Sequence, residues 1–136
     1  MCSPLEELLK LAKKEHIKII WTQELAPTTP PVAIYNLRSI IMNSNWHNPN
    51  QFIFQLAHEL AHLIYGDPLD LYLYNQTPAQ KFKIESKIND YALQIIFNLY
   101  NEIPYSEINI VSFMQKYEIP AHLENRVRFL IGESVL

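Results

Sequence analysis

A chain of 136 residues and 16.0 kDa can bury roughly two thirds of the surface its unfolded form exposes, so one domain spanning residues 1–136 is expected. With 49% hydrophobic and 18% charged residues and a formal charge of -3, it reads as a globular protein and not as a strongly basic nucleic-acid binder. Its only glycines, Gly66 and Gly132, cannot form a phosphate-cradling loop, and its lone Cys2 can form neither an internal disulfide nor a cysteine zinc finger.

In chain order, Ser3, Pro4, Glu6 and Glu7 form a helix start, and Leu5, Leu8, Leu9 and Ala12 recur at helical spacing to about residue 15. Residues 17–21 read as a strand and residues 27–31 as a loop. Two more strands are expected over residues 32–35 and 39–42, making a small antiparallel sheet. Asn48 and Pro49 start a central helix that runs to Tyr65 and stops at Gly66. Residues 67–76 read as a loop, and Thr77 with Pro78 starts a long helix reaching Leu99. Two shorter helices are expected over residues 106–117 and 120–131. The fold class is therefore α+β. Glu6 and Glu7 stand where a secretory signal needs a basic start, and no run approaches the roughly 18 apolar residues of a membrane span. A cytoplasmic protein, not associated with a membrane, is the expectation.

Residues 58–62 read His58, Glu59, Leu60, Ala61, His62, the pattern H-E-x-x-H. On a helix the two histidines stand one turn apart on one face, where both imidazoles can bind one divalent ion, and Glu59 lies about 100° round, beside the attacking water. The plainer reading makes them ordinary residues of an amphipathic helix. Against it, the central helix carries no Lys or Arg and is apolar nearly all round, and a buried glutamate beside two histidines needs partners to offset its desolvation.

Such a site needs a third protein ligand. A metzincin would place glycine at 65 and histidine at 68, but Tyr65 and Pro68 stand there. Glu85 is the better candidate, because it and Asn89 fall inside the apolar stripe of Phe82, Ile88, Ala92, Ile95, Ile96 and Leu99, where a carboxylate is costly unless paired or coordinated. Asp67 and Asp70 remain alternatives in the turn leaving the central helix, with caps or solvated loop residues as their plainer reading. Asp90 lies on the polar face with Lys83, Ser86, Lys87 and Gln94.

The stretch FIFQLAHELAH over residues 52–62, followed by Glu85, Ile88, Asn89 and Ala92 in the spacing E-x-x-x-N-x-x-A, resembles the ImmA/IrrE family of metallopeptidases. The likeness covers about residues 32–130. It implies a gluzincin-like helical core with His58, His62 and Glu85 as metal ligands, Glu59 as general base, and Asn89 holding a ligand from behind. It also implies Zn²⁺ as cofactor, Mn²⁺ as the alternative, and a helix-turn-helix repressor of a phage or mobile element as the cleaved partner. Departures are Ala61 where glycine is usual and Tyr91 where phenylalanine is typical. His47, Tyr65 and Tyr91 are candidate oxyanion donors, and residues 39–42 a candidate edge for pairing with substrate. His16 and His122 read as ordinary surface or packing residues.

Two rivals stand beside this reading. One is a metal-containing antirepressor that binds a repressor without cutting it. The other is a helix-turn-helix DNA reader over residues 108–130, opposed by a net charge of -1 across residues 106–136. No direct binding of nucleic acid is expected.

Overall fold

The computed structural model describes residues 3–99 and 108–132. Helix α1 (Pro4–Lys14) starts where Ser3 accepts a hydrogen bond from the Glu6 N–H, with acids in its first turn and lysines in its last, and buries Leu8 and Ala12. Strand β1 (Lys18–Thr22) follows, then β2 (Val32–Ile34), a 3-10 turn (Tyr35–Leu37) and β3 (Ser39–Asn43). The strand order is β1-β3-β2. As expected, β2 runs antiparallel to β3, with Val32 opposite Ile41. The sheet as a whole is mixed and not antiparallel, because β1 pairs with β3 in parallel from Lys18 opposite Ser39 to Thr22 opposite Asn43. Residues 23–38 supply the long crossover a parallel pair requires. Central β3 is the most buried strand and has neighbours on both sides, so it offers no edge to a substrate; the open edges belong to β1 and β2.

A 3-10 turn capped by Asn48 leads into α2 (Phe52–Tyr65), which buries Leu56, Ala57, Leu60 and Ala61. Gly66 ends it in extended backbone, where its value is space: a Cβ would lie 2.4 Å from the His62 carbonyl oxygen and 3.1 Å from the Tyr35 hydroxyl. Residues 67–76 are not the expected loop. They contain helix α3 (Pro68–Tyr74), started by a capping box between Asp67 and Asp70 with Pro68 in the first turn. Helix α4 (Pro78–Leu99) packs along α2 and buries Ile84, Ile88, Ala92, Leu93, Ile95, Ile96 and Phe97. Phe82 departs from the expected stripe and is 75% exposed, lying beyond the buried part of that face.

Helix α5 (Ile110–Lys116) begins at the Asn109 cap; its expected start at Ser106 lies outside the described residues. A 3-10 turn (Ala121–Leu123) precedes α6 (Glu124–Leu130), so the last helix is shorter than expected. The core joins Leu8, Ile40, Met42, Leu56, Leu60, Ile88, Ile96 and Val127. No helix among the described residues is long and apolar enough to cross a membrane.

Candidate metal centre

Helix α2 places Gln55, His58, Glu59 and His62 on one face, and α4 places Glu85 and Asn89 against it. The Glu85 carboxylate stands between the two imidazoles, with Oε2 3.1 Å from His58 Nε2 and Oε1 3.8 Å from His62 Nε2. Each ring is held from behind through its other nitrogen. His58 Nδ1 lies 2.9 Å from Asn89 Oδ1, so it is the donor there, and His62 Nδ1 lies 3.0 Å from the Tyr35 hydroxyl. These contacts leave both Nε2 atoms turned toward Glu85.

The electrostatics follow from burial and from the carboxylate. Burial disfavours the charged His58, but its hydrogen bond to Glu85 and the charges of Glu59 and Glu85 outweigh this and raise its pKa. For His62, burial and the nearby His58 win, lowering it to about 4. Burial likewise opposes charge on Glu85, yet the His58 hydrogen bond leads a set of contacts, the Tyr74 hydroxyl among them, that hold its carboxyl below the usual range. Glu59 is pushed up to about 7, chiefly by burial.

One observation tests whether these groups suit a divalent cation. Ligating atoms of His58, Glu59 and His62 all lie within 4.8 Å of one another, and Glu59, 7% exposed, has an Oε2 atom that no protein group partners. Two imidazole nitrogens facing a carboxylate, with a further carboxylate alongside, form a donor set that fits such an ion.

These groups line a cleft of about 580 Å³. Its walls include Val32 and Ala33 of edge strand β2, Phe54 and Gln55 of α2, and Leu71 and Tyr74 of α3. The structure thus brings together His58, Glu59, His62, Glu85 and Asn89. Asp67 caps α3, and Asp70, although at the cleft, is bound by Lys87 at 2.9 Å. His47, Tyr65 and Tyr91 do not line the cleft: His47 Nδ1 bonds the Pro27 carbonyl, and the two tyrosines stack on each other 4.6 Å apart. His122, read as an ordinary surface or packing residue, stands exposed at the cleft.

Sequence reasoning missed Tyr35 and Tyr74. Nothing local marks Tyr35, which lies 27 positions from the histidine it supports. Tyr74 was hidden because residues 67–76 read as a loop, although Asp67 and Pro68 were available as a helix start. In the rival helix-turn-helix segment, Arg126 pairs with Asp90 through two bonds and Arg128 with Glu124, so these cations do not form an unopposed basic face.

Residues 15–126 match the family model described as IrrE N-terminal-like domain, Peptidase M78. No curated protein and no solved structure matches the chain at a significant level.

Proposed function

The chain belongs to the IrrE N-terminal-like family of M78 metallopeptidases, and from that premise we propose that it is a zinc-dependent endopeptidase of gluzincin type, acting in the cytoplasm. Its proposed substrate is a helix-turn-helix repressor of a phage or mobile element, a reading supported by the resemblance to ImmA/IrrE proteins. The observation that carries the catalytic reading is the convergence of two imidazole Nε2 atoms on the Glu85 carboxylate beside the unpartnered oxygen of Glu59.

In this reading His58, His62 and Glu85 would hold Zn²⁺, or Mn²⁺ as the alternative. When bound, the ion supplies Lewis-acid chemistry, polarising the scissile carbonyl and lowering the pKa of a water. Asn89 and Tyr35 fix the ring orientations of His58 and His62. Glu59 accepts the proton of the attacking water and delivers it to the leaving amine. Edge strand β2 lines the cleft and has no second strand beside it among the described residues, so an extended peptide can add to it as a further strand.

The test is Glu59→Gln. This variant should keep its fold and its metal but lose peptide hydrolysis by at least about 10²-fold. The parent should convert the purified repressor to discrete fragments, and a chelator should stop it. A repressor that stays intact in a stable complex would replace the peptidase with the non-cutting antirepressor.

A further inference from the structure

Among the described residues, two buried side-chain polar atoms have no protein partner: Glu59 Oε2 and Gln55 Oε1. They belong to residues one helical turn apart on the same face of α2, and both residues line the cleft. Leaving a buried acceptor unsatisfied destabilises a fold, so each such atom calls for a reason. Proton transfer accounts for the Glu59 oxygen. Nothing in the proposed chemistry uses Gln55.

Four other polar groups of the cleft are already engaged. Asn89 holds His58, Tyr35 holds His62, Trp46 Nε1 donates to Gln51, and Asp70 accepts from Lys87. Gln55 is therefore the cleft amide whose buried oxygen has no partner among the described residues, in a lining that also includes the apolar Val32, Phe54 and Ile84. A carboxamide pairs a carbonyl acceptor with an amine donor, the same two functions a peptide main chain presents. In an extended peptide successive main-chain groups face opposite sides. When one set pairs with an edge strand, the other set faces away and, in a cleft, needs partners of its own.

Resting on the peptidase reading above, we infer that Gln55 is a substrate-binding residue. Its carboxamide hydrogen-bonds the main chain of an extended peptide on the side that β2 does not pair. The recognised feature is peptide backbone, independent of side-chain sequence. Residues of the cleft's apolar walls then select among side chains.

Two hydroxamate probes separate this from the metal site itself. Acetohydroxamate binds the ion alone, whereas a hydroxamate-capped leucyl-phenylalanine amide adds a peptide main chain. Calorimetry on the zinc-loaded parent should show the peptide probe binding more tightly. In Gln55→Met, which keeps the side chain's length without its amide, the peptide probe should weaken about tenfold, as expected for one lost hydrogen bond. Acetohydroxamate should bind unchanged. The variant's melting temperature should equal or exceed the parent's, because an unsatisfied buried acceptor has gone.

A variant that fails to fold or melts markedly lower would make Gln55 a structural residue and overturn the inference. Unchanged affinity for the peptide probe in a folded variant would also overturn it, while leaving the metallopeptidase reading intact. A parent that binds neither probe would overturn both readings.

Discussion

Glu85 and Asp90 lie five positions apart on α4, and replacing each by its amide separates the proposed ligand from a surface ion pair. The Glu85 carboxylate faces both imidazoles, at 3.1 and 3.8 Å, with its side chain 30% exposed. Replacing an anionic oxygen ligand by a neutral amide at a three-ligand site should weaken it about a thousandfold, or about 4 kcal/mol of binding. A metal ion at a thousand times its dissociation constant stabilises the fold by about 4 kcal/mol. With an unfolding entropy of about 2.1 cal/mol/K per residue over 136 residues, that raises the melting temperature by about 14 °C. At the same free metal concentration a thousandfold weaker site retains about 0.4 kcal/mol, or about 1.5 °C.

Asp90 bonds Arg126 at 2.9 and 2.7 Å on the protein surface, a pair worth at most about 1 kcal/mol. Asp90→Asn should therefore lower the melting temperature slightly and equally with and without metal. Thermal melts of the parent, Glu85→Gln and Asp90→Asn, each with Zn²⁺ and after chelation, read these differences directly. Equal metal-dependent shifts in all three proteins would remove Glu85 from the site.

Asn89→Ala takes the acceptor from His58 Nδ1 and should weaken metal binding about 10- to 100-fold in chelator competition, with the metal-free melting temperature little changed. Gly66→Ala sets a Cβ against the His62 carbonyl and should destabilise the fold by about 1–3 kcal/mol in urea titration; a neutral result would show that the turn gives way easily. Burial opposes charge on Asp70, but the Lys87 ammonium and the Asp67 N–H outweigh it and hold the carboxyl below its ordinary range. A group whose folded pKa is depressed stabilises above its unfolded value and loses that contribution as pH falls through the folded one. The stability gap between the parent and Asp70→Asn should thus stay constant above about pH 5 and narrow as the pH falls below that, and a gap constant down to about pH 2 would contradict the pairing.

Much of the site was legible because its chemistry is local or periodic. His58 and His62 need only the four-residue repeat of a helix to share a face, and Glu85 betrayed itself as a carboxylate in an apolar stripe. Helix boundaries were legible where a cap stands beside proline, as at Ser3 and Asn48. The same signals were present at Asp67 and Pro68, but the helix there is only seven residues long and its exposed Leu69, Leu71 and Tyr72 give no one-sided pattern to reinforce them.

The sequence by itself determined the α2 motif, the candidate ligands and the antiparallel pairing of β2 with β3, since each depends on residues close in the chain or on one element's periodicity. Only the tertiary structure decided what those elements meet. It set β1 parallel to β3, left β2 as the edge beside the cleft, brought Tyr35 behind His62, and left Gln55 in the wall without a protein partner. Strand pairing and side-chain contact join residues tens of positions apart, and the cost of closing the intervening loops is met by burial of the whole core, which no single segment encodes.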